Sequence, residues 1–548
     1  MTDVASMSEL LAAAEPREQR RLGDLLERLT ATGGAVGARD GGRAIGPAAL
    51  AALQLRGVTD DTRRLRPGAL FVAIHGEHVD GHDLLRDAEA GGAVATIVER
   101  PVPDSLLPQV VVGSTRAALA DAAAWWYGDP SRALGVVGIT GTDGKTTTSY
   151  LAVAALEAAG LSSGLVGTVE TKIGGLREAH AEHLTTPGAP DLQHALRAMV
   201  DAGNRAAVVE TTSHGLATDR VRAIAYDVAI LTNLTHEHLE FHGTWEAYRD
   251  AKLSLFERLA AAPRGAGVTK ESPAPHWPRT AIVNADDPNA GAFVGVAQEA
   301  GAAIVTYGAD DAADVRLTRV EEDGRRLRVS YEGRAGAGSL ELRIAGRFNA
   351  YNALAVVALG SGLGLDAQAV RAGLESVEAV PGRMESIDAG QPFGVVVDFA
   401  HSPASLQAVL DVLAPVAAAR GGGLVALFGS AGERDTAKRP MMGRIAGERC
   451  RLVVVTDEDP RREDREAILE DIAVGAEDAG RRRGRDLLLI ADRPAAIAAA
   501  FERARPGDIV LLAGKGHEAS IIGPAGPQPY DERATARQAL AALGYEGS

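Results

Sequence analysis

At 548 residues the chain is too long for a single hydrophobic core, and its length alone implies roughly three to four domains. Its 46% hydrophobic and 24% charged residues are ordinary for a soluble globular protein, and aromatics at 4% leave Ala, Val, Leu and Ile to build the core. A formal net charge of -16 argues against a nucleic-acid partner, since no basic excess exists to neutralise phosphates, although one positive loop could still serve an anionic small molecule.

The chain opens with a polar, Ala-rich stretch to about Arg21, read as a helix or a frayed extension. It has no basic start followed by an apolar segment, and no run of about 18 apolar residues occurs anywhere, so neither a signal peptide nor a membrane span is expected. The single cysteine, Cys450, cannot form an intramolecular disulfide, and a cytoplasmic location follows as the expectation. From there to about Tyr127, short strands alternate with helices. The Gly-Asp-Pro-Ser run at 128–131 reads as a linker, and a second boundary is expected at 380–383. The expected domains are therefore 23–133, 134–380 and 381–548.

Beyond the first linker one unit recurs: a short apolar strand, a Gly-rich or charged loop, then a helix. Continuous Val/Ile/Leu strands alternating with helices predict parallel sheets covered on both faces, with ligands at the carboxyl ends of the strands. The first such end, at 138–148, reads GITGTDGKTTT. Gly141, Thr142, Asp143, Gly144, Lys145, Thr146 and Thr147 would form a phosphate cradle. Backbone N–H groups approach the oxygens, Lys145 reaches the terminal phosphates, and Thr146 offers a hydroxyl to Mg2+. The strict P-loop spacing fails by one, with Ile139 at the first glycine position; the plainer alternative is a Gly-rich turn. Farther along, Glu210 ends the strand RAAVVE and His238 follows VAILTN, so a carboxylate and an imidazole could share a divalent cation near the phosphates. His236 and His242 lie close by. A zinc hydrolase, or histidines that only bond to neighbouring loops, are the competing readings.

GTDGKTT with its extra spacing resembles the ATP loop of Mur ligases and folylpolyglutamate synthetases. The blocks at 209–221 and 231–252 resemble those of Mur ligases of the MurE type. That resemblance implies a carbamylated Lys252 that helps bind Mg2+; an ordinary surface lysine is the alternative. LTTP at 184–187 resembles the segment holding the acyl-donor peptide, which implies Thr185 and Thr186, joined by Thr212, Thr218 and Arg220. The family often has Gln at the Thr218 position. The N-terminal Asp-Thr-Arg and Asp-Gly-His elements, with Thr62 and His82, resemble the UDP-binding domain, though each is also common turn chemistry.

RFNAYN, GRME and DFAHSP resemble further Mur ligase elements, and that resemblance implies adenosine or phosphate contacts from Asn349, Arg383 and Asp398. GERD, DEDPR and GKGHE resemble the family's amino-acid pocket, which implies Arg434, Asp457, Asp459, Arg461, Gly514 and Glu518 there. Family members that use meso-diaminopimelate carry DNPR. Here Asp459 replaces the Asn, which favours a bare distal ammonium, while Arg461 still suits a distal carboxylate.

The resemblance implies a three-domain α/β fold: a central P-loop parallel-sheet ATPase domain between an N-terminal UDP-binding α/β domain and a C-terminal Rossmann-like domain. The implied function is ATP- and Mg2+-dependent addition of a diamino acid (meso-diaminopimelate, lysine or ornithine) to the D-Glu of UDP-N-acetylmuramoyl-L-Ala-D-Glu, through an acyl phosphate, in peptidoglycan synthesis. The expected partners are these small molecules, with no nucleic acid and a monomeric chain. The rivals are a MurF- or folylpolyglutamate-type ligase, a P-loop phosphotransferase, and a non-catalytic binding subunit.

Overall fold

The computed structural model describes residues 6–31, 37–40, 47–76, 79–179, 184–235, 239–259, 275–322, 326–333 and 336–545. They form a three-domain α/β protein built on three main sheets. β1 (Gly37–Asp40), β2 (Gly57–Thr59), β3 (Ala69–Val72), β4 (Ala95–Val98) and β5 (Pro108–Val111) make the first, in spatial order β1-β5-β4-β3-β2. The central sheet has eleven strands. Its parallel core contains β6 (Gly135–Thr140), β7 (Ser163–Val166), β8 (Ala206–Glu210), β9 (Val228–Leu231), β10 (Thr280–Asn284) and β11 (Ala303–Gly308), in spatial order β7-β8-β6-β9-β10-β11. An antiparallel hairpin extends one edge, and antiparallel strands at 327–333 and 338–342 close the other. In the third sheet, β12 (Gly394–Asp398), β13 (Leu424–Phe428), β14 (Leu452–Val455), β15 (Leu487–Leu489) and β16 (Ile509–Ala513) run parallel in spatial order β12-β16-β13-β14-β15.

Every residue of β6 through β10 is buried, which explains the unbroken apolar runs: helices cover both faces. The helices used below are α1 (Met7–Ala14), α2 (Lys145–Ala158), α3 (Ala189–Asp201), α4 (Ser213–Ala217), α5 (Trp245–Glu257), α6 (Phe348–Leu363), α7 (Arg493–Glu502) and α8 (Glu532–Ala542). α2 and α6 pack on one face of the central sheet, α3 and α5 on the other. Register then gathers the polar strand ends. Glu210 pairs with Ile139, Leu231 with Thr140, and Val209 with Val166, so the loops after β6, β7, β8 and β9 open side by side.

Within the N-terminal stretch Met7–Ala14 form a helix, and its position is unexpected. α1 packs not on the N-terminal sheet that follows it but on α3 of the central module. No described helix is long and apolar enough to cross a membrane.

Candidate functional site

The loop after β6 turns on Gly141 and Gly144, at φ 148° and 83°, in the left-handed range that favours glycine. A Cβ on Gly141 would strike the Thr232 hydroxyl, and one on Gly144 would strike the Asn352 amide oxygen. The loop is braced from beside and below. Asn233 accepts from the Asp143 N–H at 3.0 Å and donates to the Asp143 carbonyl at 3.0 Å, while Thr232 donates to that carbonyl at 2.7 Å. Gly144 caps α2, whose first-turn N–H groups lack intrahelical acceptors and so suit an anion. Lys145 folds back onto the Gly141 and Thr142 carbonyls, at 3.0 and 2.7 Å, within reach of anything the loop holds. Thr146 and Thr147 are buried at the start of the helix.

Thr146 links this cradle to the strand beside it by donating to a Glu210 carboxylate oxygen at 3.1 Å. Glu210 is completely buried, and the Thr168 hydroxyl and N–H reach its two oxygens at 2.7 and 3.1 Å. A buried carboxylate ringed by hydroxyls offers hard oxygen donors of the kind Mg2+ takes. Among the described residues no group of three or more His, Cys, Asp or Glu side chains could hold a metal. His238 and His236 lie outside the described residues. His242 stands in an aromatic cluster with Phe241, His214 and Tyr248.

Lys252 is not a surface lysine. It is 2% exposed; its Nζ donates to the Gly141 carbonyl at 2.7 Å and lies 4.7 Å from the centre of the Tyr248 ring. Tyr248 in turn meets the Thr142 hydroxyl at 2.8 Å. The apolar residues on α5 bury that helix face against the sheet, and Lys252 is carried under the phosphate loop with them.

The threonine block forms a wall on the other side of Glu210. Thr186 donates to the Glu210 carbonyl at 2.9 Å and lies 3.0 Å from Thr212, whose hydroxyl caps α4 by accepting from Gly215 N–H. Arg220 donates to the Thr186 carbonyl at 2.8 Å, and Thr185 lies 3.1 Å from Thr168. Thr218 differs: its hydroxyl bonds back to the His214 carbonyl at 2.6 Å, a local use.

In the N-terminal module, Thr62 is half-buried in a turn beside Arg64, which pairs with Asp191 of α3 at 2.6 Å across to the central module. His82 is 3% exposed, and both ring nitrogens are engaged: Nδ1 with Asp80 at 2.7 Å, Nε2 with the Glu99 N–H at 3.0 Å. These bonds hold the Asp-Gly-His turn, and a ligand that hydrogen-bonds to the ring would have to displace one of them.

The third module meets the cradle through Arg383, whose guanidinium lies 3.5 Å from the Thr146 hydroxyl and 4.7 Å from the Phe399 ring centre. Asp398, at the end of β12, accepts from the Met384 and Ala400 N–H groups, each at 2.8 Å. Burial raises its carboxyl pKa against the pull of Arg383 and these donors. Asn349 reaches the loop only indirectly. Its amide oxygen accepts from Asn352 at 2.8 Å, and Asn352 accepts from Thr148 at 3.2 Å.

In the C-terminal pocket, Asp457 is tied to Arg465, and Asp459 accepts from the fully buried Lys515 at 2.8 Å and from Ile522 N–H at 2.9 Å. Lys515 also pairs with Glu518 at 2.5 Å. The acid that replaces the expected Asn therefore shares one buried ammonium with Glu518, which leaves this carboxylate pair with a net negative charge. Glu458 is 7% exposed, and its Oε2 lacks a hydrogen-bond partner among the described residues. It lies beside Gly514, where an added Cβ would come within 3.2 Å of that oxygen. Arg461 turns the chain at φ 55°, and Arg434 is exposed.

Thr168, Asn233, Asn352 and Lys515 were not named as site residues; Asn233, Asn352 and Lys515 lay within blocks already singled out (231–252, RFNAYN and GKGHE), whereas Thr168 lay in none. Three family models match the chain: "Mur ligase family, catalytic domain" over 54–127, "Mur ligase middle domain" over 139–360, and "Mur ligase, glutamate ligase domain" over 382–516. A UDP-N-acetylmuramyl-tripeptide synthetase of Roseiflexus sp. (strain RS-1) is 48% identical over 90% of this chain and 96% of its own. A UDP-N-acetylmuramoyl-L-alanyl-D-glutamate--2,6-diaminopimelate ligase of Solibacter usitatus (strain Ellin6076) is 39% identical over 90% of this chain and 95% of its own. A solved structure of a ligase with that same name superposes with a TM-score of 0.58 at 28% identity, covering 90% of this chain and 96% of that one.

Proposed function

The chain belongs to the Mur ligase family, and from that premise we propose that it adds a diamino acid to the D-Glu of a UDP-linked muramoyl dipeptide in peptidoglycan synthesis, cleaving ATP to ADP and phosphate. The observation that carries this reading is the 3.1 Å contact between Thr146 of the phosphate loop and Glu210 at the end of the adjacent strand. It joins a triphosphate cradle to a buried carboxylate, with the threonine wall alongside.

The α2 N-terminus and Lys145 would hold the ATP phosphates and neutralise charge on the transferring group. Thr146, Glu210 and the expected His238 would hold Mg2+, assisted by Lys252 as its carbamate. The bound ion supplies charge neutralisation on the phosphoryl oxygens. Thr185, Thr186, Thr212 and Arg220 frame the acyl donor, and the preformed bonds among them reduce the ordering cost of binding. A D-Glu γ-carboxylate oxygen attacks the γ-phosphorus, the bond to the β–γ bridging oxygen breaks, and ADP leaves. The amine of the diamino acid then attacks the acyl carbon, the carbon–oxygen bond to phosphate breaks, and an amide remains. Arg383 brings the third module onto Thr146, so closure of that module shields the acyl phosphate from water. The reading puts the reaction in the cytoplasm, where nucleotide-linked precursors and ATP are found, and takes the working unit to be a single chain.

The test supplies the UDP-linked dipeptide and ATP with diaminopimelate, lysine or ornithine in turn, following ADP and product mass. ADP release should require both the dipeptide and one of these amino acids, with a product heavier by that residue. Lys145→Ala should lower the rate by about a hundredfold or more. ADP formed without any amino acid would favour a phosphotransferase, and a demand for another acceptor would favour a MurF- or folylpolyglutamate-type ligase.

A further inference from the structure

Among the described residues, Glu210 stands at the junction of cradle and threonine wall with no ion pair to a basic side chain. What fixes it is the turn after β7. The Thr168 N–H donates to Oε1 at 3.1 Å and the Thr168 hydroxyl to Oε2 at 2.7 Å, so one residue grips both oxygens. The approach is close enough that a Cβ on the preceding Gly167 would lie 2.5 Å from Glu210 Oε1, so the turn is shaped around the carboxylate. Thr146 adds a weaker contact at 3.1 Å. A carboxylate has about four acceptor positions, and these three donors leave room for a cation. The same Thr168 hydroxyl lies 3.1 Å from Thr185 on the acyl-donor side.

We propose that Thr168 is a positioning residue for the ligase reaction: it orients Glu210 toward the divalent cation and couples that carboxylate to Thr185. The assignment rests on the ligase reading for its place in turnover, but its effect on metal binding does not. Partners that orient a metal-ligating carboxylate commonly change metal affinity by about tenfold or more when removed.

The experiment compares wild type with Thr168→Val, which keeps the volume and loses the hydroxyl, and Thr168→Ser, which keeps the hydroxyl. Free Mn2+ is followed by its paramagnetic resonance as it titrates the full-length protein in the presence of ADP, with thermal unfolding measured in parallel. The Val variant should bind Mn2+ about tenfold more weakly, Ser should return to within about twofold of wild type, and the unfolding midpoints should agree. In turnover, the magnesium concentration for half-maximal rate and the KM for the dipeptide should rise in the Val variant, with the KM for the amino acid unchanged. Thr168→Ala provides the same loss with no added bulk, should Val fail to fold. Equal Mn2+ affinity in Val, Ala and wild type would overturn the proposal, and so would equal weakening in Val and Ser, which marks a packing role. Wild-type protein that binds Mn2+ with ADP yet forms no amide would overturn the ligase reading instead, leaving the Mn2+ comparison to judge Thr168.

Discussion

The imidazole of His517 sits where the third module reaches the central one, facing the backbone of Thr168, with Phe399 5.1 Å away between ring centres. Partial burial, and then the Arg383 guanidinium, push its pKa down to about 3. A histidine in the unfolded chain protonates near pH 6.5, so the unfolded state binds more protons throughout the interval between those values. Stability is therefore whole above about pH 6.5 and falls as pH drops toward about 3, at roughly 1 kcal/mol per pH unit. His517→Asn should remove that part of the acid-side slope. Unfolding midpoints at pH 7 and pH 5 would test it: wild type should lose more on acidification than the variant, and equal losses would refute the burial argument. His517 also illustrates what was readable in advance. GKGHE stood out because polar residues clustered at a strand end, as did GKTT and Glu210. The partners were hidden, because they depend on register. Nothing in GLVGTVE marks Thr168 until β7 is laid two strands from β6, and nothing in DEDPR reveals that Lys515 reaches Asp459. His82 is alike: nothing in Asp-Gly-His reveals that both ring nitrogens are engaged within the fold.

Elements were easier to foresee than residues, because a strand buried on both faces must be apolar throughout. β6, β8, β9, β12, β13, β14 and β16 were visible as such runs. The half-exposed antiparallel strands at 315–342 were not, since their alternating polar residues resemble surface loop. One pairing of elements in the third domain carries a testable energy. Arg493 at the start of α7 and Glu532 at the start of α8 are both buried, joined at 2.9 and 2.5 Å. Arg493 also donates to the carbonyls of Asp457 at 2.9 Å and Ala513 at 2.8 Å. One side chain thus ties two helices to the ends of β14 and β16, where the amino-acid pocket lies. Replacing only Glu532 by Ala would strand a buried guanidinium and should cost about 3–5 kcal/mol. The double replacement Arg493→Met with Glu532→Leu should cost less, because no charge is left alone. Denaturant unfolding of the three proteins decides it, and a Glu532→Ala variant as stable as wild type would sink the account.

At the scale of the whole molecule, the three modules are not fastened alike. The third touches the phosphate loop chiefly through Arg383, which suits a module that opens and closes. The first two are bolted together by Arg64 with Asp191, by an alanine contact among Ala120, Ala123 and Ala189, and by α1. At eight residues α1 is too short to be stable alone, yet it begins with a capping box in which Ser6 and Glu9 bond reciprocally. Met7, Leu10, Leu11 and Ala14 pack toward Leu192, Leu196 and Met199, while His194 of α3 bonds to the Leu11 carbonyl at 2.7 Å. Tyr127, at the end of the first module, stacks on His194 with ring centres 4.9 Å apart and donates to Glu15 at 3.1 Å. Residues 6–15 therefore staple the central module to the far end of the first. Burying the Met and Leu side chains contributes about 1.5–3 kcal/mol for each one fully enclosed, enough to matter against a whole-domain stability of about 5–15 kcal/mol. Deleting the first 15 residues should lower the unfolding midpoint by several degrees and speed cleavage by trypsin around residues 128–132. The KM for the UDP-linked dipeptide, which needs both modules in place, should rise while that for ATP holds. An unchanged midpoint and an unchanged dipeptide KM would show that the alanine contact and Arg64 suffice without the staple.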